Sequence, residues 1–158
     1  MNSFASLVTA GDVLLGLDAP TAQALFKAIG ERFSRLHGVD PVDVADSLLA
    51  REHLGSTGLG EGVAIPHARI KGLRQAIAAV ALPEAPLVFD SPDGKPVDRF
   101  FVLLVPEEAT EQHLQILAGA VQMLADPLFR DGLRRCETVA AVIDLLSTWH
   151  ETASGART

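Results

Sequence analysis

The run Phe100-Phe101-Val102-Leu103-Leu104-Val105 constrains the fold of this chain more than any other stretch. It has no polar face, so a strand built from it must be covered on both sides. A central strand is predicted over Val97 to Val105, ended by Pro106. Ala76 to Leu82, with Ile77 and Val80, is a second continuous apolar run and reads as another buried strand. Val13 to Leu17 is a third. Leu87-Val88-Phe89 reads as a short strand before the turn Ser91-Pro92-Asp93-Gly94.

A different period fills the intervals. From Thr21 to His37 the large apolar residues Leu25, Phe26, Ile29, Phe33 and Leu36 recur at gaps of three and four, which predicts an amphipathic helix. Asp18 is its candidate N-cap, with Pro20 in the first turn, and Gly38 is its stop. Asp40-Pro41 opens a second helix, with Val42, Val44, Leu48 and Leu49 as its apolar residues, that ends near Leu54-Gly55. Glu111 to Ala125 is a third, with Leu114, Ile116, Leu117, Val121 and Leu124 as its apolar face. Asp126-Pro127 starts a shorter one, and Glu137 to Trp149 is the last. Strands alternating with helices predict an α/β fold, a single layered domain with a mixed, mostly parallel sheet flanked by helices. That domain is expected over residues 1–152, and the small, polar residues from Ala153 to Thr158 are expected to be disordered.

Charge and composition exclude several functions. A net charge of −7 with no large Lys/Arg cluster argues against nucleic acid as a partner. The longest apolar runs fall far short of the roughly 20 residues that span a bilayer, so no membrane insertion is expected. The N-terminus lacks the pattern of a secretory signal. The lone Cys136 permits no internal disulfide and fits a reducing, cytoplasmic setting.

The stretch Arg51-Glu52-His53-Leu54-Gly55-Ser56-Thr57-Gly58-Leu59-Gly60-Glu61-Gly62-Val63-Ala64-Ile65-Pro66-His67-Ala68 carries the chemistry. Its glycines let backbone approach a ligand closely, and successive amides in such a loop can cradle an anion. Pro66 fixes the backbone ahead of His67. Imidazole titrates near neutrality and can act as a covalent nucleophile. No Gly-Lys-Ser/Thr closes a P-loop, and the dinucleotide fingerprint is missing. Ser56 lacks the surroundings of a nucleophile elbow. The histidines and Cys136 show no close metal-ligand spacing, so no metal or cofactor is expected.

This stretch resembles the active-site signature of the type-2 enzyme IIA domains of the bacterial phosphoenolpyruvate-dependent phosphotransferase system. In those domains an apolar-Ala-apolar-Pro-His sequence presents a transiently phosphorylated histidine, matched here by Val63-Ala64-Ile65-Pro66-His67. A second match runs through Pro96-Val97 and Leu103-Leu104-Val105-Pro106 to His113-Leu114. The likeness extends from about Val13 to Leu146, with one departure: Ala68 stands where many members have Gly. It implies that His67 accepts a phosphoryl group from an HPr-type phosphocarrier, HPr or its nitrogen-branch counterpart NPr. It makes His113, at the start of a helix, the second active-site histidine. Arg51 becomes a fork of donors for phosphoryl oxygens, a task that suits Arg better than Lys. Ser56 and Thr57 are candidate hydroxyl donors to the same oxygens, with turn stabilisation as the competing role. Glu61 either orients an imidazole or is an exposed loop carboxylate. His37 and His53 read as helix-end residues, His150 precedes the tail, and Cys136 reads as a buried small residue rather than a reactive thiol.

Within that family the run Arg51-Glu52-x-x-Gly55-Ser56-Thr57-Gly58 is more similar to the nitrogen-related regulatory members than to the fructose or mannitol ones. The resemblance therefore implies a phosphoryl carrier in regulation, with a regulated kinase or transporter as downstream partner. The alternative is a free-standing fructose- or mannitol-type sugar-transport IIA that passes phosphate to a separate IIB. A non-enzymatic rival is a binding regulator in which phosphorylation of His67 is only a signal.

Overall fold

The central apolar run becomes β6 (Arg99–Pro106), and both its faces are covered. The computed structural model describes residues 2–108 and 110–149. Ahead of β6 the chain forms β1 (Val13–Leu17), α1 (Ala22–His37), α2 (Pro41–Leu54), β2 (Gly58–Gly60), β3 (Val63–Ala64), β4 (His67–Ile70) and β5 (Ile77–Pro83). After it come α3 (Glu111–Ala125), α4 (Pro127–Arg135) and α5 (Val139–Thr148). The strand order is β1-β5-β6-β3-β2, and β4 also pairs with β6. Three pairings are parallel (β1/β5, β3/β6, β4/β6) and two antiparallel (β5/β6, β2/β3), so the sheet is mixed.

Period-two alternation along β6 splits the core in two. Phe100, Val102 and Leu104 face one cluster with Phe26, Ile29 and Phe33 of α1 and Val44 and Leu48 of α2. Phe101 and Leu103 face the other, with Ile116, Met123 and Leu124 of α3, Phe129 of α4 and Val142 of α5. A sheet between two helical layers explains why β5 and β6 read as unbroken apolar runs. Among the described residues no helix is long and apolar enough to cross a membrane.

Local chemistry sets the helix ends. Asp40 accepts from the Val42 N–H at 2.9 Å and Pro41 fills the first turn of α2. Gly38 closes α1 at φ 74°, a left-handed conformation that costs Gly no Cβ clash. The N-cap of α1 is Thr21 rather than Asp18: Thr21 is extended and its Oγ1 accepts from Ala24 N–H at 3.1 Å. Pro20 therefore precedes the cap instead of sitting in the first turn.

Two further expectations are corrected. Leu87 and Val97 exchange backbone hydrogen bonds of 2.8 and 2.9 Å, but this is an isolated bridge and not a strand over Leu87 to Phe89. Val88 is exposed, so only Leu87 of the three finds a strand partner. On α3, Leu114 and Val121 are exposed, and the buried face is Ile116, Gly119, Ala120, Met123 and Leu124. His150 and the segment from Ala153 to Thr158, expected to be disordered, lie outside the described residues.

Candidate functional site

The glycine stretch folds into a tight β2–β3 hairpin rather than an open amide cradle. Glu61 and Gly62 form its two-residue turn with φ 57° and 78°, the positive values that suit a type I′ connection. Gly62 is required twice over, since a Cβ there would meet the Arg99 guanidinium. The amides are spent within the fold: Glu61 N–H donates to Asp93 Oδ2 at 2.9 Å and Ile65 N–H to Thr57 O at 3.0 Å. From the hairpin the chain runs through Ile65 and Pro66 into β4, which lies parallel to β6 with His67 opposite Leu103.

Strand β4 orients the histidine. Ala68 and Ile70 are buried in the α1/α2 cluster, so His67 and Arg69 share the opposite side of the strand. Both line a cleft of about 660 Å³. One wall comes from α2, where Ser47, Ala50, Arg51 and Leu54 fall at helical spacing. The other comes from the first turns of α3, with His113, Leu114 and Leu117, and Leu103 and Val105 of β6 also line it. The cleft is thus apolar with a few charged and titratable groups, the usual make-up of a binding site.

His67 is half-buried, and its Nδ1 lies 2.8 Å from the Ile65 carbonyl. A carbonyl only accepts, so Nδ1 carries the proton and the Nε2 lone pair is left for chemistry. Burial pushes the His67 pKa below its ordinary value. The Ile65 hydrogen bond opposes this, the Arg51 charge reinforces it and the Glu52 charge opposes it. The ring is therefore neutral and nucleophilic at pH 7. A 1H–15N titration is expected to give a midpoint below about 6.5, the ordinary imidazole value. A midpoint at or above that value would contradict the assignment. In linkage terms, the unfolded ring protonates first as pH falls. The associated stability is intact above about 6.5 and is lost as pH drops through the lower folded value.

His113 has the opposite arrangement. Its Nδ1 accepts from the Thr110 backbone N–H at 3.0 Å, capping α3. The proton of the neutral ring is then on Nε2, which is a donor. Arg51 donates from Nη1 to Gly55 O at 2.7 Å and retains further N–H groups on its fork. The structure thus brings His67, His113 and Arg51 to one cleft, and adds Arg69 and Ser47. Arg69 went unrecognised although His67-x-Arg69 at strand spacing carried the signal.

Ser56 and Thr57 are placed differently. Ser56 Oγ donates to the Asp90 carbonyl and accepts from Gly58 N–H. Thr57 is buried, and both its N–H and its hydroxyl donate to the Glu52 carboxylate, at 2.9 and 2.7 Å. Neither lines the cleft. The Glu61 carbonyl, at the far end of the hairpin, accepts from Arg99 Nη2 at 2.6 Å. His37 donates from Nε2 to the fully buried Asp12 at 2.9 Å, a pairing across the chain. Cys136, expected to be buried, is only partly buried; desolvation pushes its thiol pKa up, and Sγ donates to the Gly132 carbonyl at 3.4 Å. Among the described residues no three His, Cys, Asp or Glu side chains group to hold a metal.

Comparison with known proteins bears on the family and the fold. Residues 6–149 match the family model of the phosphoenolpyruvate-dependent sugar phosphotransferase system, EIIA 2. A nitrogen regulatory protein of Pseudomonas aeruginosa is 40% identical over 141 residues, 89% of this chain and 92% of that one. The crystal structure of the nitrogen regulatory protein IIA-Ntr from Neisseria meningitidis superposes with a TM-score of 0.84 at 37% identity, covering 90% of this chain and 97% of that one. A fructose-specific EIIA component of Haloferax volcanii is 37% identical over 110 residues, 69% of this chain and 71% of that one. A single layered α/β fold, a cleft holding two histidines and the match over residues 6–149 lead to one assignment: the chain belongs to the EIIA type-2 family of the phosphoenolpyruvate-dependent phosphotransferase system.

Proposed function

We propose that this protein is a phosphoryl carrier of the nitrogen-related phosphotransferase branch, accepting its phosphoryl group on Nε2 of His67 from an HPr-type phosphocarrier and acting in regulation. The complementary protonation of two histidines on one cleft carries the reading. His67 offers a lone pair from Nε2, whereas His113 has spent its Nδ1 lone pair on a helix cap and offers an N–H. One ring is arranged as nucleophile, the other as donor.

The step needs no proton movement. The donor ring is phosphorylated on one nitrogen and protonated on the other. The His67 Nε2 lone pair attacks phosphorus, the donor N–P bond breaks, and its electron pair returns to the donor ring. His67 becomes a phosphorylated, positively charged ring whose Nδ1–H still donates to Ile65. Arg51, Arg69 and the His113 Nε2–H neutralise the phosphoryl oxygens as charge spreads over them. Ser56 and Thr57 serve by holding the loop, not by touching the phosphoryl group. The exposed Leu54 and Leu114 on the cleft rim give the carrier protein apolar surface to dock on.

The test is incubation with phosphoenolpyruvate, enzyme I and an HPr-type carrier. One acid-labile, base-stable phosphoryl group is expected, assigned to Nε2 of His67 by phosphorus–nitrogen coupling. A signal on His113 reverses the roles, and none on either histidine ends the reading. The likeness to a fructose-specific component supports sugar transport as second reading. Transfer onward from His67 to a separate IIB domain would select it, and phosphate-dependent binding to a kinase or transporter without transfer selects regulation.

Replacing His113 by Ala is expected to slow phosphorylation of His67 about ten- to a hundred-fold, the effect of losing one hydrogen bond to a charged group. His113→Gln is milder, because Gln keeps a donor and can still cap α3. Quench-flow at wild-type rate for His113→Ala would leave His113 as a helix cap only.

A further inference from the structure

We infer that Glu52 is a positioning residue for His67, acting through a relay of hydrogen bonds that passes through Thr57 and Ile65. This rests on His67 being the phosphoryl acceptor. The Glu52 carboxylate accepts from Thr57 N–H at 2.9 Å and from Thr57 Oγ1 at 2.7 Å, one bond to each oxygen. The Thr57 carbonyl accepts from Ile65 N–H at 3.0 Å. The Ile65 carbonyl accepts from His67 Nδ1 at 2.8 Å. Glu52 thus fixes residue 57, residue 57 fixes residue 65, and residue 65 holds the ring in the tautomer that frees Nε2.

The relay is sheltered from water. Thr57 is 6% exposed and Ile65 3%, so solvent competes poorly for these bonds. Pro66 reinforces it, because its carbonyl accepts from Leu103 N–H at 3.0 Å and leaves the Ile65 carbonyl for the imidazole. Without the carboxylate, the Thr57 N–H and hydroxyl would be buried with no acceptor, and the segment would move to satisfy them. The same turn of α2 also carries Arg51 into the cleft. Adjacent residues therefore divide two tasks: Arg51 faces the phosphoryl oxygens and Glu52 sets the nucleophile. A negative charge at Glu52 also suits a ring that becomes positive on phosphorylation.

The test uses the whole protein with His67 nitrogens resolved by 15N NMR, together with phosphoryl-transfer rates. In the wild type, the His67 shifts should report Nδ1 protonated and Nε2 bare. Glu52→Ala is expected to bring the two nitrogen shifts towards each other, as the tautomers mix, and to slow transfer about ten- to a hundred-fold. Glu52→Gln, which keeps the reach but only one acceptor, should fall between. Thr57→Val should behave as a partial Glu52→Ala, and Thr57→Ser should restore both shifts and rate towards wild type. Wild-type shifts and rate in Glu52→Ala overturn the proposal. If Glu52→Ala does not fold, the Thr57 pair decides, and equal behaviour of Thr57→Val and Thr57→Ser overturns it. The shifts are read on unphosphorylated protein. A failure of the relay is therefore separable from a failure of His67 to accept phosphate.

Discussion

His67→Ala is expected to leave the protein folded and wholly unable to carry a phosphoryl group. The ring contributes one hydrogen bond, to the Ile65 carbonyl, and is only half-buried, so little of the core depends on it. Strand β4 keeps its register against β6 through main-chain pairing from residue 67 to residue 70. What disappears is, among the described residues, the only ring nitrogen in the cleft with an uncommitted lone pair, because His113 Nδ1 accepts from Thr110. His113 therefore cannot take over without breaking its helix cap. Phosphoryl incorporation, measured by intact mass after incubation with the carrier system, should be absent at every time point, with the circular dichroism unchanged. Stoichiometric labelling of the variant would remove His67 from the mechanism.

The largest effect on stability is expected at Phe101. Its ring is fully buried and stacks on Phe4, with centroids 4.5 Å apart and planes 8° from parallel. Its edge contact with Phe129 of α4 has centroids 5.9 Å apart at 77°. It joins the N-terminal segment, the sheet and the α3–α5 layer. Phe101→Ala removes those contacts and leaves a cavity that a paired strand cannot close, which costs about 3–5 kcal/mol. That is a large share of the roughly 5–15 kcal/mol that holds a domain together. The melting temperature should fall by roughly 6–20 °C. Trp149, the only tryptophan, hydrogen-bonds to Asp126 through Nε1 at 2.9 Å and reports on this layer by fluorescence during urea unfolding. Phe101→Leu should cost less, since it fills part of the space. An unfolding midpoint for Phe101→Ala equal to wild type would show that this face is not the structural core.

The elements read correctly were those in which two signals agree. Helix α2 had Asp40 as cap and Pro41 in its first turn, and α1 had a 3.6-residue apolar period and a Gly stop. Strand β5, the Phe100 to Val105 stretch of β6 and most of β1 were apolar runs. Strands β2, β3 and β4 are two to four residues long and hold glycines, a histidine and an arginine, so no propensity marked them. They are strands because β6 and one another supply partners. Leu87 to Phe89 had the composition of a strand, but only Leu87 pairs, in a single bridge to Val97.

For the site, the local sequence determined that His67 follows a Pro at the end of a glycine-rich segment, and that Arg51 and His113 stand at ends of helices. The family likeness joined them. Which nitrogen of each histidine bears the proton was decided by local backbone geometry that no residue pattern records. That depends on a carbonyl two residues back being turned towards one ring and a helix-start amide being aimed at the other. Ser56 and Thr57 show the same limit. A hydroxyl in a signature points equally well to a ligand or to its own loop. The choice was made by Asp90, 34 residues away, and by the end of α2 delivering Glu52. Periodicity records which face of an element is apolar, because burial acts on every residue of that face. A hydrogen-bond partner from elsewhere in the chain leaves no such period, so the fold's layers were legible and the commitments of its polar groups were not.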